Sequence, residues 1–273
     1  MLRMYIYYLL LIPQIICAQK EYYIPKPLII PSHDGKQQLY ASIGRGGGYN
    51  LDISYTVTNH FAIFTTGVLD RDTKKRTSLW GDRFNIEKND YVLKAGLGYF
   101  KKIKKPRLYN IIESYLGIGL YKVENYWYFI EGDLGGDSTM ARYWNIFWQI
   151  NICRKEKKQE LTFALRVSYN RYDSVNFFTT EWNSRYPRNS YQNLNGLSVD
   201  PAISYSYRVH NFKFSAQAGL SLPVWWPQAV HVNTNFDQSI QAYKEDARPA
   251  ALIGKLSIQY EINFGNKKNK TDN

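Results

Sequence analysis

The closing stretch Leu252-Ile253-Gly254-Lys255-Leu256-Ser257-Ile258-Gln259-Tyr260-Glu261-Ile262-Asn263-Phe264 decides how the chain is to be read. Its even positions carry Leu, Gly, Leu, Ile, Tyr, Ile and Phe, whereas the odd positions from Lys255 to Asn263 are all polar. Successive side chains of an extended strand point to opposite faces, so this run has one apolar and one polar face. The same split recurs upstream. Leu161, Phe163, Leu165, Val167 and Tyr169 alternate with Thr162, Ala164, Arg166, Ser168 and Asn170, and Ile203, Tyr205, Tyr207 and Val209 alternate with Ser204, Ser206 and Arg208. Working outward from these segments gives about ten strands: Gln37–Arg45, Asn50–Thr58, Phe61–Leu69, Tyr91–Lys102, Leu108–Val123, Arg142–Cys153, Glu160–Tyr172, Leu197–Val209, Phe212–Leu222 and Ala250–Phe264.

The connections sort by length. Those after the second, fourth, sixth and eighth runs are short: Thr58-Asn59-His60, Lys104-Lys105-Pro106-Arg107, Arg154–Gln159 and His210-Asn211. Those after the third, fifth, seventh and ninth are long: Asp70–Asp90, Glu124–Ala141, Asp173–Gly196 and Pro223–Pro249. Only Gly46-Gly47-Gly48-Tyr49 breaks the pattern by being tight. An even number of antiparallel strands with short turns at one end and long loops at the other is the plan of a transmembrane up-and-down β-barrel. The expected fold is therefore all-β, an antiparallel barrel of about ten strands over residues 37–265. A soluble periplasmic β-sandwich alternates in the same way and stands as an alternative. Two loop stretches, Asp82–Glu87 and Gln238–Lys244, are compatible with short helical turns.

Composition agrees. The 273 residues include 24 Tyr, 13 Phe and 7 Trp, which is too aromatic for a disordered chain, while only 44% are hydrophobic, which is too few for a bundle of membrane helices. The net charge of +12 is carried largely by clusters between apolar runs, such as Lys101–Arg107 and Arg154–Lys158, with no nucleic-acid-binding motif beside it. Nucleic acid is not expected as a partner.

Residues 1–18 read as a signal peptide: Met1-Leu2-Arg3 is basic, Met4–Ile12 is apolar, and Ile16-Cys17-Ala18 is a small-residue cleavage site before Gln19. Lipid attachment at Cys17 is the alternative. Cleavage after Ala18 leaves Cys153 alone and excludes an intramolecular disulfide. Residues 19–36, with Pro25, Pro27 and Pro31, are too proline-rich for a strand core and read as a periplasmic lead segment lying across the inner mouth. Residues 266–273 form a polar basic tail.

The exported start, followed by Tyr22-Tyr23-Ile24-Pro25-Lys26-Pro27-Leu28, then Asp34-Gly35-Lys36, a strand, and Gly48-Tyr49-Asn50-Leu51-Asp52-Ile53-Ser54-Tyr55-Thr56-Val57-Thr58-Asn59-His60-Phe61, resembles small outer-membrane β-barrel proteins of Bacteroidota. The resemblance implies an outer-membrane location in a Gram-negative envelope and a barrel fold. It carries no catalytic residues.

Two sets of residues are candidates for function. The inward faces carry Asp52, Glu113 and Glu261 beside Lys94, Arg166, Arg208, Lys213 and Lys255, charges of both signs that would pair and close a narrow lumen. A conduit for a small solute is the alternative. The long outer loops carry Trp80, Trp127, Trp182, Trp225 and Trp226, which would contact a surface glycan or lipid, or simply form the aromatic belt found at membrane interfaces. A hydrolase needs a histidine within reach of an acid or hydroxyl. The nearest set is His231, Asp237 and Ser239, without a recognisable pattern. No metal or cofactor motif is present. The expectation is a monomeric, non-enzymatic barrel in contact with outer-membrane lipid, with a structural or surface-interaction role. A barrel-embedded hydrolase or narrow channel is the runner-up.

Overall fold

The computed structural model describes residues 22–77, 83–103, 108–129, 136–179, 189–234 and 239–264. The stretches read as a signal peptide and a basic tail, together with Trp80, Trp182 and Asp237, lie outside the described residues.

Ten strands form a closed antiparallel barrel. They are β1 (Gln38–Arg45), β2 (Tyr49–Thr56), β3 (Phe61–Thr77), β4 (Arg83–Lys102), β5 (Ile111–Phe129), β6 (Gly136–Lys155), β7 (Gln159–Thr179), β9 (Asn195–Val209), β10 (Phe212–Trp225) and β13 (Ala251–Asn263). Closure comes from the stretch that decided the reading. β13 pairs with β1 from Gln38↔Asn263 to Arg45↔Leu256, and with β10 on its other edge. Each barrel strand thus has two partners, and no barrel edge is left for aggregation.

The two faces follow the alternation. Outward positions are apolar and exposed, as at Leu116, Ile118 and Leu120 of β5 and Leu252, Leu256 and Ile258 of β13. Inward positions such as Lys255, Ser257 and Gln259 are buried. Exposed apolar side chains on every barrel strand, around a polar interior, invert the arrangement of a soluble β protein, which places its apolar face inside.

The wall is uneven in height. β7 has 21 residues and β4 and β6 have 20 each, whereas β1 and β2 have 8. A tilted strand of about 9–11 residues is long enough to cross a hydrocarbon core, and the tall strands are about twice that length. The low side of the wall is capped by the turn Gly46–Gly48. There Gly47 and Gly48 adopt φ of 59° and 113°, and a Cβ on Gly48 would lie 2.7 Å from the Leu69 carbonyl oxygen, so the turn requires glycine.

This corrects the expected loops. Asp70–Asp90 and Glu124–Ala141 are in large part the continuations of β3 to β6, paired out to Thr77↔Arg83 and Tyr128↔Gly136. In the other two long connections, β8 (Asn189–Gln192), β11 (Ala229–Thr234) and β12 (Ile240–Glu245) build outward from the upper half of β7 in the order β7-β8-β11-β12. In the stretches compatible with short helices, residues 83–87 and 240–244 are strand. Outer strands wet on both faces lose hydrophobic alternation but keep their backbone ladder, which is why they read as loops.

Candidate functional site: a lumen filled by the chain's own N-terminal segment

The lead segment does not lie across the mouth. Tyr22 to Asp34 run down the lumen as an extended chain outside the barrel's ladder, starting at the long-loop end and finishing at the short-turn end, where β1 begins. At roughly 3.1 Å per residue such a segment spans on the order of 40 Å, more than the thickness of a hydrocarbon core. Every residue from Pro25 to His33 is buried.

An extended segment turns successive side chains to opposite walls, and the barrel is shaped accordingly. Leu28 and Ile30 pack on Ala164, Ala202 and Ile253 of β7, β9 and β13, while Ile29 packs on Phe64, Tyr115 and Phe147 of β3, β5 and β6. At the long-loop end Tyr22 meets Tyr172, Phe177 and Tyr191 edge-on, and its hydroxyl donates to the Ala247 carbonyl at 2.8 Å. Tyr23 stacks on Tyr143 and is covered by Trp226. Tyr121, Tyr143 and Tyr172 form a stacked ladder behind them, with centroids 4.3 and 4.5 Å apart.

The polar lining holds the segment by its carbonyls. Arg166 Nη2 donates to Lys26 O at 2.8 Å, Gln149 Nε2 and Asn151 Nδ2 donate to Ile29 O at 2.6 and 3.1 Å, and Lys155 Nζ donates to Ser32 O at 3.1 Å. Lys94 and Lys213 reach Pro27 O and Pro31 O, each at 3.5 Å. Gln217 imitates a strand partner, accepting from Leu28 N–H at 3.0 Å and donating to Leu28 O at 3.3 Å. Glu113 accepts from His33 N–H at 2.7 Å and from Asn151 at 2.9 Å. This explains the prolines. A wall rich in ammonium, guanidinium and amide donors has acceptors to seek, and Pro25, Pro27 and Pro31 offer carbonyls without adding N–H groups that would need burial in turn.

All eight charged positions read as inward lie inside the barrel, but the pairing differs from a simple cancellation among them. Asp52 pairs with Lys255. Arg166 pairs with Asp200 at 2.7 Å, and Lys213 with Glu160 at 2.7 Å. Arg208 bridges Glu160 and Glu261 at the short-turn end, where Lys155 also meets Glu261 and Asp34. Lys94 and Glu113 face the segment's backbone instead. Sequence reasoning missed Asp200, Glu160 and Lys26. The first two share the even-numbered parity of Arg208 and Arg166 on their own strands, so the same alternation marks them. Lys26, buried with its Nζ donating to Gly47 O at 2.5 Å, had no such signal. Asp34, at the segment's short-turn end, is pushed up by burial but more than brought back down by Lys155, the Gln38 side chain and Lys102, so its carboxyl lies below its ordinary value.

The loop tryptophans divide. Trp225 is exposed, whereas Trp226 is 5% exposed and packs inward on Tyr23, which corrects its reading as a ligand contact. The register shift between Pro223 and Trp225 reverses the alternation beyond it, so that Trp225 faces out and Trp226 faces in. Trp127 stands on the upper part of β5. His231 takes Glu245 at 2.7 Å as its Nδ1 partner and Asn189 at 3.1 Å as its Nε2 partner, a structural clasp between β11, β8 and the end of β12. Among the described residues no group of His, Cys, Asp and Glu is arranged to hold a metal ion.

The fold and its interior define a class: a closed ten-stranded barrel with an apolar outer face and a self-occupied polar lumen. No protein-family model matches the chain, and no curated protein sequence does. Among solved structures it is similar to a major outer membrane protein from Thermus thermophilus (TM-score 0.39, 13% identity, 82% of this chain and 98% of that one). It is also similar to the translocator domain of the autotransporter NalP from Neisseria meningitidis (0.40, 11%, 82% and 85%) and to CarO of Acinetobacter baumannii (0.32, 8%, 82% and 97%). Similarity at this level assigns no activity.

Proposed function

We propose that the protein is a monomeric outer-membrane β-barrel, sealed by its own N-terminal segment, whose role is structural or in surface interaction. The observation that carries this reading is the pairing of two features. The exposed apolar residues of all ten barrel strands suit lipid, and the lumen is occupied from Tyr22 to Asp34. The N-terminal resemblance to Bacteroidota barrels supports the same location.

A lumen occupied by a buried peptide from Tyr22 to Asp34 leaves little room for solutes, which favours the sealed reading over the channel alternative. What remains available for function is the tall outer wall, β3 to β7 with β8, β11 and β12. In this reading the short turns face the periplasm and the tall wall faces outward.

Cysteine labelling in intact cells tests it. A cysteine replacing the exposed Ile240 should react with an impermeant maleimide, and one replacing the exposed Lys157 should react only after the envelope is opened. The unboiled protein should also migrate faster than the boiled form, as closed barrels do. Release of the protein by osmotic shock would refute the membrane reading, and the reverse labelling pattern would refute the sidedness.

A further inference from the structure

β7 is a forked strand. Its lower part, Gln159 to Arg171, pairs with β9, and its upper part, Val175 to Phe177, pairs with β8. Between the two, opposite the register shift at Arg142/Tyr143, Asp173 is the extra residue of a β-bulge, a device that ends pairing or re-aims side chains. The hairpin between β8 and β9 closes the fork. Asn193 there takes the left-handed conformation (φ 56°), Asn195 Nδ2 donates to its carbonyl at 3.1 Å, and Tyr172 N–H donates to Leu194 O at 3.0 Å.

The fork leaves a pocket of about 510 Å³ on the outer face of the wall, with a mainly polar lining that includes Arg171, Asp173, Asn176, Ser190 and Gln192. None of these five side chains hydrogen-bonds to another described residue, so they do not serve to hold the described strands together. Just below lies an aromatic pair, Tyr169 edge-on to Trp144 at 6.3 Å, with Arg171 directly opposite Trp144 in the ladder. Below that, the outward residues turn apolar at Leu165, Phe163 and Ile203.

We infer that this fork pocket binds a hexose-type sugar of the glycolipid headgroups surrounding the barrel in the outer leaflet. The inference rests on the membrane reading above. A sugar presents neighbouring hydroxyls, each both donor and acceptor, and planar amide, carboxylate and guanidinium groups match such pairs two bonds at a time. Tyr169 adds an apolar ring for the sugar's C–H face. With one guanidinium beside one carboxylate the pocket has no net charge to select a bare phosphate, and its polar lining offers little to an acyl chain or a protein partner. The volume lies within the range of small-molecule sites. Its height, immediately above the aromatic pair, is where headgroup sugars begin.

The test uses the full chain inserted in phosphatidylcholine vesicles and deacylated lipopolysaccharide as the probe, with inorganic phosphate as a control. The wild type should bind the oligosaccharide and not phosphate. Asn176→Ala/Gln192→Ala should bind at least tenfold more weakly while keeping its heat-modifiable migration, and Arg171→Gln should weaken binding less than the double variant. Equal binding by wild type and the double variant, binding of phosphate as strong as of the oligosaccharide, or no binding by correctly inserted wild type would overturn the inference. Failure to insert into vesicles would instead count against the membrane reading.

Discussion

Replacing Arg166 with Ala probes the lumen where its two kinds of contact meet. The guanidinium, 3% exposed, binds Asp200 through Nε at 2.7 Å and the Lys26 carbonyl through Nη2 at 2.8 Å. Truncation leaves Asp200, 1% exposed, with Ser221 as its remaining partner, and leaves a carbonyl of the inserted segment without its donor. Stranding a buried charge costs about 3–5 kcal/mol, and a lost buried bond adds about 1–3, though neighbouring terms do not sum. The expected loss is about 4 kcal/mol, a large share of a stability of typically 5–15 kcal/mol. Urea titration in micelles, followed by heat-modifiable migration, measures it. Arg166→Ala/Asp200→Ala removes the stranded charge together with its partner and should be less destabilised than the sum of the two single variants by at least about 1.5 kcal/mol. A single variant within about 1 kcal/mol of wild type, or strictly additive losses, would refute a desolvated pair that also grips the segment.

Gly196→Ala should destabilise by about 1–3 kcal/mol, because a Cβ there would sit 2.3 Å from the Trp226 indole and push it off Tyr23; an unchanged unfolding midpoint with unchanged tryptophan emission would show that Trp226 does not cap the segment. Asp34, whose folded carboxyl lies below its ordinary value, contributes stability that is present above the unfolded value of about 3.9 and is lost as pH falls through the lowered one. Wild type should therefore lose its advantage over Asp34→Asn on acidification below about pH 4, and parallel pH profiles for the two proteins would count against the Asp34–Lys155–Lys102 anchor.

The barrel was legible because lipid on one side and a polar interior on the other force period-two alternation, as in Leu252–Phe264 and Leu161–Asn170. The alternation fails where its cause does. In the upper part of β3 neither face is buried, so Asp70-Arg71-Asp72-Thr73-Lys74-Lys75 reads as a loop although its backbone stays paired to Asn85–Asp90. The inserted segment was legible only by half. Its prolines exclude a strand, but nothing local distinguishes a chain lying outside a barrel from one threaded through it. That choice depends on donors such as Arg166, Gln149 and Gln217, scattered over strands that come together only on closure. Trp225 and Trp226 read alike because adjacency in sequence hides which ring faces in. The fork pocket had no sequence signal, since Asp173, Asn176 and Gln192 are ordinary loop residues until a bulge and a change of partner strand set them side by side.

The central claim, a barrel closed by its own N-terminal segment, is tested most directly by planar-bilayer recording of two proteins: the full chain and a chain lacking residues 22–34. The full chain should show no steady conductance, and the shortened chain should show discrete, stable openings, because its lumen retains the Lys94, Arg166 and Lys213 donors with water in place of peptide carbonyls. Equal, large and stable currents from both proteins would contradict the account.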